Sequence, residues 1–546
     1  MNGHLSPPVQ AAVEHDAAIE RRAADCDVML LLEGTFPYVS GGVSSWVNQI
    51  IRGFPQIRFG ICFIGSRRDD YGQPKYTLPD NVVHLEAHYL HDRHAAPGLA
   101  PKAGDAAAYA QVSLLHQGWR TLQQGARDGA TSEGMAALGG LTPLLQDGEA
   151  LDEASFLYSQ ASWQYIAEQY RSHCTDPSFV DYFWTVRIMH TPVWTLARIG
   201  RSLIPARAYH SVSTGYAGFL GTLLKERTGR PLLLSEHGIY TKERKIDLFQ
   251  SEWIHDNRGV FEKDASQLSY FRELWIRFFE ALGRMCYDSA NRIVALYETN
   301  RLRQIADGAQ PERTRNIPNG IDLPRMQKLR TGRPPNPPPV LCLIGRVVPI
   351  KDVKNFIRAM RSVVNLLPDA LGWIAGPEDE DVAYADECRS ITESLDLQDR
   401  VKFLGFQKID ELMPKLGLIV LSSISEALPL VLLEGFAAGV PAVATDVGSC
   451  RQLLYGLSVE DQALGAAGMV VPIAEPQALA RAAVELLADP VRWRAAQAAG
   501  IARVERYYTQ DLMFEQYRQL YAEALDAEGA VRHSAAGCPV AHGNRR

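Results

Sequence analysis

The chain has 546 residues, 46% of them hydrophobic, 22% charged and 9% aromatic, an ordinary globular profile that excludes a disordered, collagen-like or coiled-coil chain. Its 56 Lys and Arg stand against 63 Asp and Glu, a net charge of −7. That balance lacks the basic face that sequence-independent nucleic-acid binding needs, although a local basic pocket for one phosphorylated ligand stays open.

At about 150 residues per domain the length predicts two to four domains. Residues 1–25 have no apolar h-region and read as an N-terminal extension rather than a secretory signal. No run of about 18 apolar residues is free of charge or proline, so no membrane span is expected. The eight cysteines (Cys26, Cys62, Cys174, Cys286, Cys342, Cys388, Cys450 and Cys538) contain no C-x-x-C pair. They read as buried free thiols in a reducing, cytoplasmic compartment.

Short apolar runs alternate with helical-period segments, the pattern of parallel β-α-β units, and the pattern occurs twice. The first series opens with Asp27–Leu32, a Gly-rich turn and a helix from about Val43. It continues through Ile57–Ile64, Asn81–Leu85, Arg207–Ser211, Pro231–Glu236 and Arg292–Leu296. About 89–180 is Ala/Gly/Gln-rich and reads as an inserted helical subdomain, followed by helices at Asp181–Ile199 and Phe261–Cys286. Thr331–Pro339 (TGRPPNPPP) has five prolines in nine residues, which predicts an extended segment and a domain boundary near 320–338. The second series runs Val340–Gly345, Leu371–Ala375, Val401–Leu404, Leu418–Ser422, Pro441–Thr445 and Met469–Pro472. Its helix at Asp352–Leu367 carries Phe356, Ile357, Met360, Val363, Val364 and Leu367 on one face. A helix pair is expected at Arg503–Leu525, with a frayed tail over 527–546. The expected layout is therefore α/β: an N-terminal Rossmann-like domain over 26–325, a second over 326–505, and a last helix at 506–526 crossing back to the first. Two such halves imply a cleft, with ligands at the carboxyl ends of the strands.

Four stretches carry chemistry. In Ser422–Asp446 (SSISEALPLVLLEGFAAGVPAVATD), Glu426 and Glu434 follow a strand end, and a helix starts near Pro429. Acids at a helix start are often simply solvated, but a Glu inside the apolar run Leu430–Phe436 needs a partner, which a ligand's vicinal hydroxyls would supply. In Gly345–Lys351 (GRVVPIK), Arg346 offers a planar fork and Lys351 a point charge at a helix entry, a pair suited to a diphosphate or equally to a solvated turn. Gly41 and Gly42, between the first strand and helix, let a ligand approach the backbone or simply make a tight turn. His237 ends the strand PLLLSEHG, as a site residue or a structural one. Asp379-Glu380-Asp381 has D-x-D metal-binding spacing but lies in a run of acids, and reads as a solvated loop or helix start.

Glu426 and Glu434 at their spacing, GFAAGVPAVATD, Arg346 with Lys351, and PNGID at Pro318–Asp322 together resemble the family 4 retaining glycosyltransferases of GT-B fold. The resemblance covers about 318–525. In the first half LLEGTFPYVSGGVSSWVNQII and SEHGIYTKER, with DVGSCRQLL from the second, resemble the Pel exopolysaccharide glycosyltransferase (PelF) group, helical insertion included. The resemblance implies GT-B, with two Rossmann-like domains facing a cleft, and transfer of a hexose or N-acetylhexosamine from a UDP-sugar, UDP-glucose favoured. The acceptor would be a growing Pel-type polysaccharide at the cytoplasmic side, beside inner-membrane Pel synthase and export proteins. Arg346 and Lys351 would steady the diphosphate, Glu434 would take the ribose hydroxyls, and Glu426 the sugar hydroxyls. Leu404 and Phe406, in the LGFQ loop, would hold the base, with Leu428 and Leu430 also lining the donor. His237 would sit by the reacting carbon, and Gly41 and Gly42 by the phosphates. No cofactor and no metal is implied, so activity should survive a chelator. Pro429 and Gly448–Gln452 depart from the family pattern, since Pro429 offers no N–H and no acid follows Gly448. The competing readings are a UDP-sugar-binding regulatory or scaffold protein and a UDP-sugar epimerase of the same fold.

Overall fold

The structure, a computed structural model, describes residues 18–91, 103–114, 153–251, 254, 269–331, 333–334 and 336–535. Two parallel-type sheets organise it. The first has eight strands: β1 (Ala18–Arg21), β2 (Cys26–Glu33), β3 (Phe59–Gly65), β4 (Val82–Tyr89), β5 (Ala206–Ser211), β6 (Leu232–Glu236), β7 (Arg292–Ala295) and β8 (Thr314–Asn316). Their order is β1-β4-β3-β2-β5-β6-β7-β8. Only the edge strand β1 is seen running antiparallel, against β4. Helix α1 (Gly42–Gly53) follows β2. The second sheet has six strands: β9 (Val340–Ile344), β10 (Leu371–Ala375), β11 (Val401–Gly405), β12 (Leu418–Leu421), β13 (Ala442–Thr445) and β14 (Gly468–Val471). Their order is β11-β10-β9-β12-β13-β14, every pairing parallel. From β9 this is the 3-2-1-4-5-6 order of a Rossmann sheet, whose strand order reverses between β9 and β12.

The chain divides into two compact units, Met1–Leu233 with Arg244–Ser289, and Leu234–Glu243 with Ala290–Arg546. In the second unit the apolar strands alternate between two cores, as a parallel sheet covered on both faces requires. Val340 and Cys342 of β9 face one core and Leu341 and Leu343 the other. Helix α2 (Val353–Leu366) packs Phe356, Ile357, Met360 and Val363 into the latter, with Val364 and Leu367 partly buried beside them. Asp352 caps it, its carboxylate accepting the Asn355 N–H.

Helices α3 (Leu430–Ala437), α4 (Pro490–Tyr507) and α5 (Gln510–Ala535) complete the parts that matter for the site. The expected helix pair is thus longer at both ends. It begins at Pro490, where Asp489 caps two N–H groups, breaks at Tyr508–Thr509 and runs past the expected fraying point near 526. PNGID lies against that break. Ile321 donates to the Tyr508 carbonyl and Gln510 donates back to Ile321. Gly320 is so close that a Cβ there would stand 2.5 Å from Gln510 Cα.

Of the expected insertion, 106–114, Glu153–Tyr158 and Gln160–His173 are helical, and Phe179–Ser202 follows as one long helix. Residues 115–152 lie outside the described residues, as does Cys538. The remaining seven cysteines are free thiols, six of them buried and Cys174 half-buried. No helix among the described residues is long and apolar enough to cross a membrane.

Candidate functional site

The reversal point of the second sheet puts the ends of β9 and β12 side by side, and both sequence motifs leave from there. After β9 the ends of three strands are knitted by main-chain bonds: Gly345 donates to Ala375, Val347 to Pro377, and Gly376 to Gly405. Gly376 must be glycine, since a Cβ would lie 1.9 Å from the Gly345 carbonyl oxygen. A short 3-10 turn, Pro349–Lys351, then leads into α2. After β12, Ser422 Oγ donates to the Lys351 carbonyl at 2.8 Å, and Ile424 N donates to the Ile350 carbonyl at 2.9 Å. The two loops are therefore fixed to each other by main-chain and hydroxyl bonds.

Across this seam Lys351 Nζ donates to Glu426 Oε1, which also accepts the Ser423 hydroxyl at 2.8 Å. Both charged side chains are largely buried. Thr445 Oγ1 anchors the Ser423 carbonyl at 2.7 Å. Gly448 closes the far side of the Glu426 loop. Its φ is +53°, and a Cβ would lie 2.3 Å from the Glu426 carbonyl oxygen. The departure from the family pattern at Gly448–Gln452 thus includes a position that only glycine fits. Cys450 lies near Glu426. Burial first, then that negative charge, push its thiol up to about 12, so it is not a thiolate nucleophile.

Arg346, by contrast, is half exposed and paired with Glu380 at 2.7 Å. Asp381 next to it caps the helix Val382–Ser394, accepting the Tyr384 N–H at 3.0 Å. The D-x-D run is thus a helix start, as the run of acids suggested.

Glu434 sits on the buried helix α3. Burial pushes its carboxyl up to about 7, against the weaker pull of the Arg325 guanidinium. Arg325 is itself engaged by both oxygens of Asp410, at 2.7 and 3.1 Å. Leu428 is buried in the core and Leu430 and Leu404 are partly so, so those side chains pack. Phe406 is 79% exposed just past the left-handed Gly405 that ends β11, an unusual place for a large apolar ring.

His237 follows β6 in the second unit. Burial pushes its imidazole down to about 3, so it is neutral at physiological pH. Its strand is held by Ser235 Oγ with Tyr517 at 2.9 Å, and by Glu236, which accepts from Gln304 at 3.0 Å and from the Tyr240 N–H. Gly41 and Gly42 belong to the first unit. They open α1 with no side-chain cap, and a Cβ at either would meet nothing within 4 Å. The second unit thus joins Lys351 directly to Glu426, pairs Arg346 with Glu380, and leaves Glu434 under the charge of Arg325, which is bonded to Asp410.

Sequence reasoning gave no role to Ser422 or Ser423, read Gly448 only as a departure from the family pattern, and missed the Arg325–Asp410 pair. Ser422 and Ser423 carried a usable signal, since they directly end the strand at the reversal point. Arg325 did not, because its partner lies 85 residues away.

Residues 26–312, more than half of the chain, match the family described as "Domain of unknown function (DUF3492)". The chain belongs to the DUF3492 family. Beyond that match, residues 326–503 of this DUF3492 chain match the family described as "Glycosyl transferases group 1". A D-inositol 3-phosphate glycosyltransferase of Kineococcus radiotolerans is 28% identical over 45% of this chain and 60% of its own length. An exopolysaccharide phosphotransferase of Streptomyces coelicolor is 31% identical over 44% of this chain and 24% of its own length. The chain thus spans three fifths or less of these curated relatives. The crystal structure of Anabaena HepE in complex with UDP is similar over 91% of this chain and all of its own, at 15% identity and a TM-score of 0.54. That likeness shows the fold: two Rossmann-like α/β domains of the GT-B kind.

Proposed function

We propose that this chain is a retaining glycosyltransferase that moves a hexose or N-acetylhexosamine, with glucose favoured, from a UDP-sugar onto a growing Pel-type exopolysaccharide. It would act in the cytoplasm, beside inner-membrane partners that take the product. The observation that carries the reading is the Lys351–Glu426 pair, set at the reversal point of a Rossmann-ordered sheet where such folds bind nucleotides. The group 1 match, a similar structure crystallised with UDP and a relative named for exopolysaccharide support it.

The chemistry follows from charge. As the sugar–phosphate bond breaks, negative charge grows on the leaving diphosphate, and fixed cations stabilise it. Lys351 would turn from Glu426 to the phosphate, leaving Glu426 to accept sugar hydroxyls. Arg346 would exchange Glu380 for the phosphate at little cost, because an exposed ion pair contributes only about 0–1 kcal/mol. Neutral His237 would hydrogen-bond the sugar without adding positive charge beside the ring carbon that becomes cationic. Glu434 would accept the ribose hydroxyls, and the Phe406 ring would cover the base. The leaving phosphate would take the acceptor's proton, so no protein nucleophile and no metal is needed.

The test is release of UDP from UDP-glucose and from UDP-N-acetylhexosamines, with and without a glycan acceptor. We expect acceptor-dependent release at a rate unchanged by added magnesium or manganese. Lys351→Ala should lower kcat/KM about 100- to 1000-fold with circular dichroism unchanged. Tight nucleotide binding with no turnover would favour a regulatory or scaffold protein, and isomerised donor would favour an epimerase. Wild-type turnover by Lys351→Ala would remove the assignment.

A further inference from the structure

In the first unit, β3 and β4 place a thiol, a carboxylate and imidazoles on one face of the sheet. The register pairs Gly60 with His84, Cys62 with Glu86 and Ile64 with His88. Residues 84, 86 and 88 are two apart on β4, so their side chains share a face, and Cys62 stands opposite the middle one. The Cys62 Sγ, a Glu86 carboxylate oxygen and a His88 ring nitrogen all lie within 4.8 Å of one another. Glu86 Oε2 is 3.7 Å from His88 Nε2, and Oε1 is 3.8 Å from His84 Nε2. Cys62 is fully buried, Glu86 is 8% exposed and the His88 side chain 10%.

Burial of this kind normally demands hydrogen bonds. Yet His84 Nε2, Glu86 Oε1 and His88 Nε2 make none among the described residues. The polar atoms converge, but at separations too long for hydrogen bonds. A tetrahedral zinc ion, with bonds of about 2.0–2.3 Å, holds its ligands roughly 3.3–3.8 Å apart; the Glu86–His88 pair has that spacing at 3.7 Å, and Cys62 Sγ lies within 4.8 Å of both.

We propose that Cys62, Glu86 and His88 bind a divalent zinc-class cation through three protein ligands, with water in the fourth position. Thiolate with imidazole selects zinc over magnesium or calcium, which prefer all-oxygen sites. His84 is the supporting residue. Its Nδ1 accepts the Ala23 N–H at 3.4 Å, which puts the ring proton on Nε2, facing the carboxylate oxygen not used by His88. The 3.8 Å gap would shorten on metal binding into the outer-shell hydrogen bond that orients metal-bound carboxylates. The ion ties β3 to β4 and is independent of the sugar-transfer reading. His88 is the penultimate residue of β4, so the clamp holds the strand at the point where the chain leaves the sheet.

The test uses the full chain, purified free of metal and titrated with Co²⁺. We expect a single equivalent bound, with a thiolate-to-cobalt charge-transfer band that Cys62→Ser abolishes and Cys342→Ser leaves intact. We also expect Zn²⁺ to raise the melting temperature of the wild type but not of Glu86→Gln, a readout that stands even if Cys62→Ser fails to fold. A wild type with no charge-transfer band, a band that persists in Cys62→Ser, or no zinc-dependent rise in melting temperature overturns the site, leaving a hydrated His–Glu cluster. None of these readouts involves UDP-sugar turnover, so failure here and failure of the transferase reading are separate results.

Discussion

At the scale of single residues, Glu434 makes the sharpest prediction. Its carboxyl, near 4.5 when unburied, is pushed up to about 7 in the fold by burial. Between those two values the folded chain holds a proton that the unfolded chain gives up, so stability falls as pH rises through that window. The loss is about 3 kcal/mol when complete. Glu434→Gln removes it, so the variant should unfold at higher urea than wild type near pH 8 and lose the advantage near pH 5. Equal pH profiles would show that Glu434 is not buried as described. Gly448 makes a second prediction at this scale. Gly448→Ala forces a Cβ against the Glu426 carbonyl at a left-handed φ. The Glu426 loop must shift, which should reduce turnover at least about tenfold through misplacement of the site with the melting temperature lowered by only a few degrees. A turnover assay and a thermal melt of the variant check the two parts.

At the scale of elements, one buried cation ties α4 into the rest of the second unit. Arg503 is fully buried. Its Nε donates to Asp461 Oδ1 at 2.6 Å, and its two terminal nitrogens donate to the carbonyls of Leu453, Leu454, Asp461 and Gly465. Removing one partner leaves the other charge buried alone, so Asp461→Ala should cost about 3–5 kcal/mol, measured by chemical denaturation. This is also where reading the sequence ran out. The strands of the second sheet were legible because short apolar runs at β-α-β spacing leave few alternatives, and the face of α2 because its apolar residues recur at helical period. The Gly345–Lys351 and Glu426–Glu434 segments were legible because strand ends collect ligands in such sheets. Pairings across long separations were not. Arg346 with Glu380 is 34 residues apart and Arg503 with Asp461 is 42, and nothing in local pattern selects one acid among many. The Cys62, Glu86 and His88 cluster escaped for the same reason: it exists only in the register of two strands, and the expected strand ended at Leu85, short of Glu86 and His88.

For the whole molecule, the second unit is assembled from distant stretches, with residues 234–243 packed among 290–535. Tyr517 and Tyr521 of α5 are buried to 1% or less, and Tyr517 is bonded to Ser235. Ending the chain after residue 507 would strip these rings from the core. Two large aromatic side chains lost cost about 3–5 kcal/mol each, so such a fragment should be recovered insoluble or as an expanded state that binds hydrophobic dyes. Substituting Tyr517→Phe, which keeps the ring and drops only the hydroxyl bond to Ser235, should cost about 1 kcal/mol.

The Ser235–Tyr517 bond also sets a clock. Its partners are 282 positions apart, and a ribosome adds roughly 5–20 residues per second. The nascent strand carrying Ser235 therefore emerges a quarter of a minute to a minute before the tyrosine that completes its surroundings. Throughout that interval its apolar flank has to be kept from other growing chains, so added chaperone should raise the yield in a heterologous host.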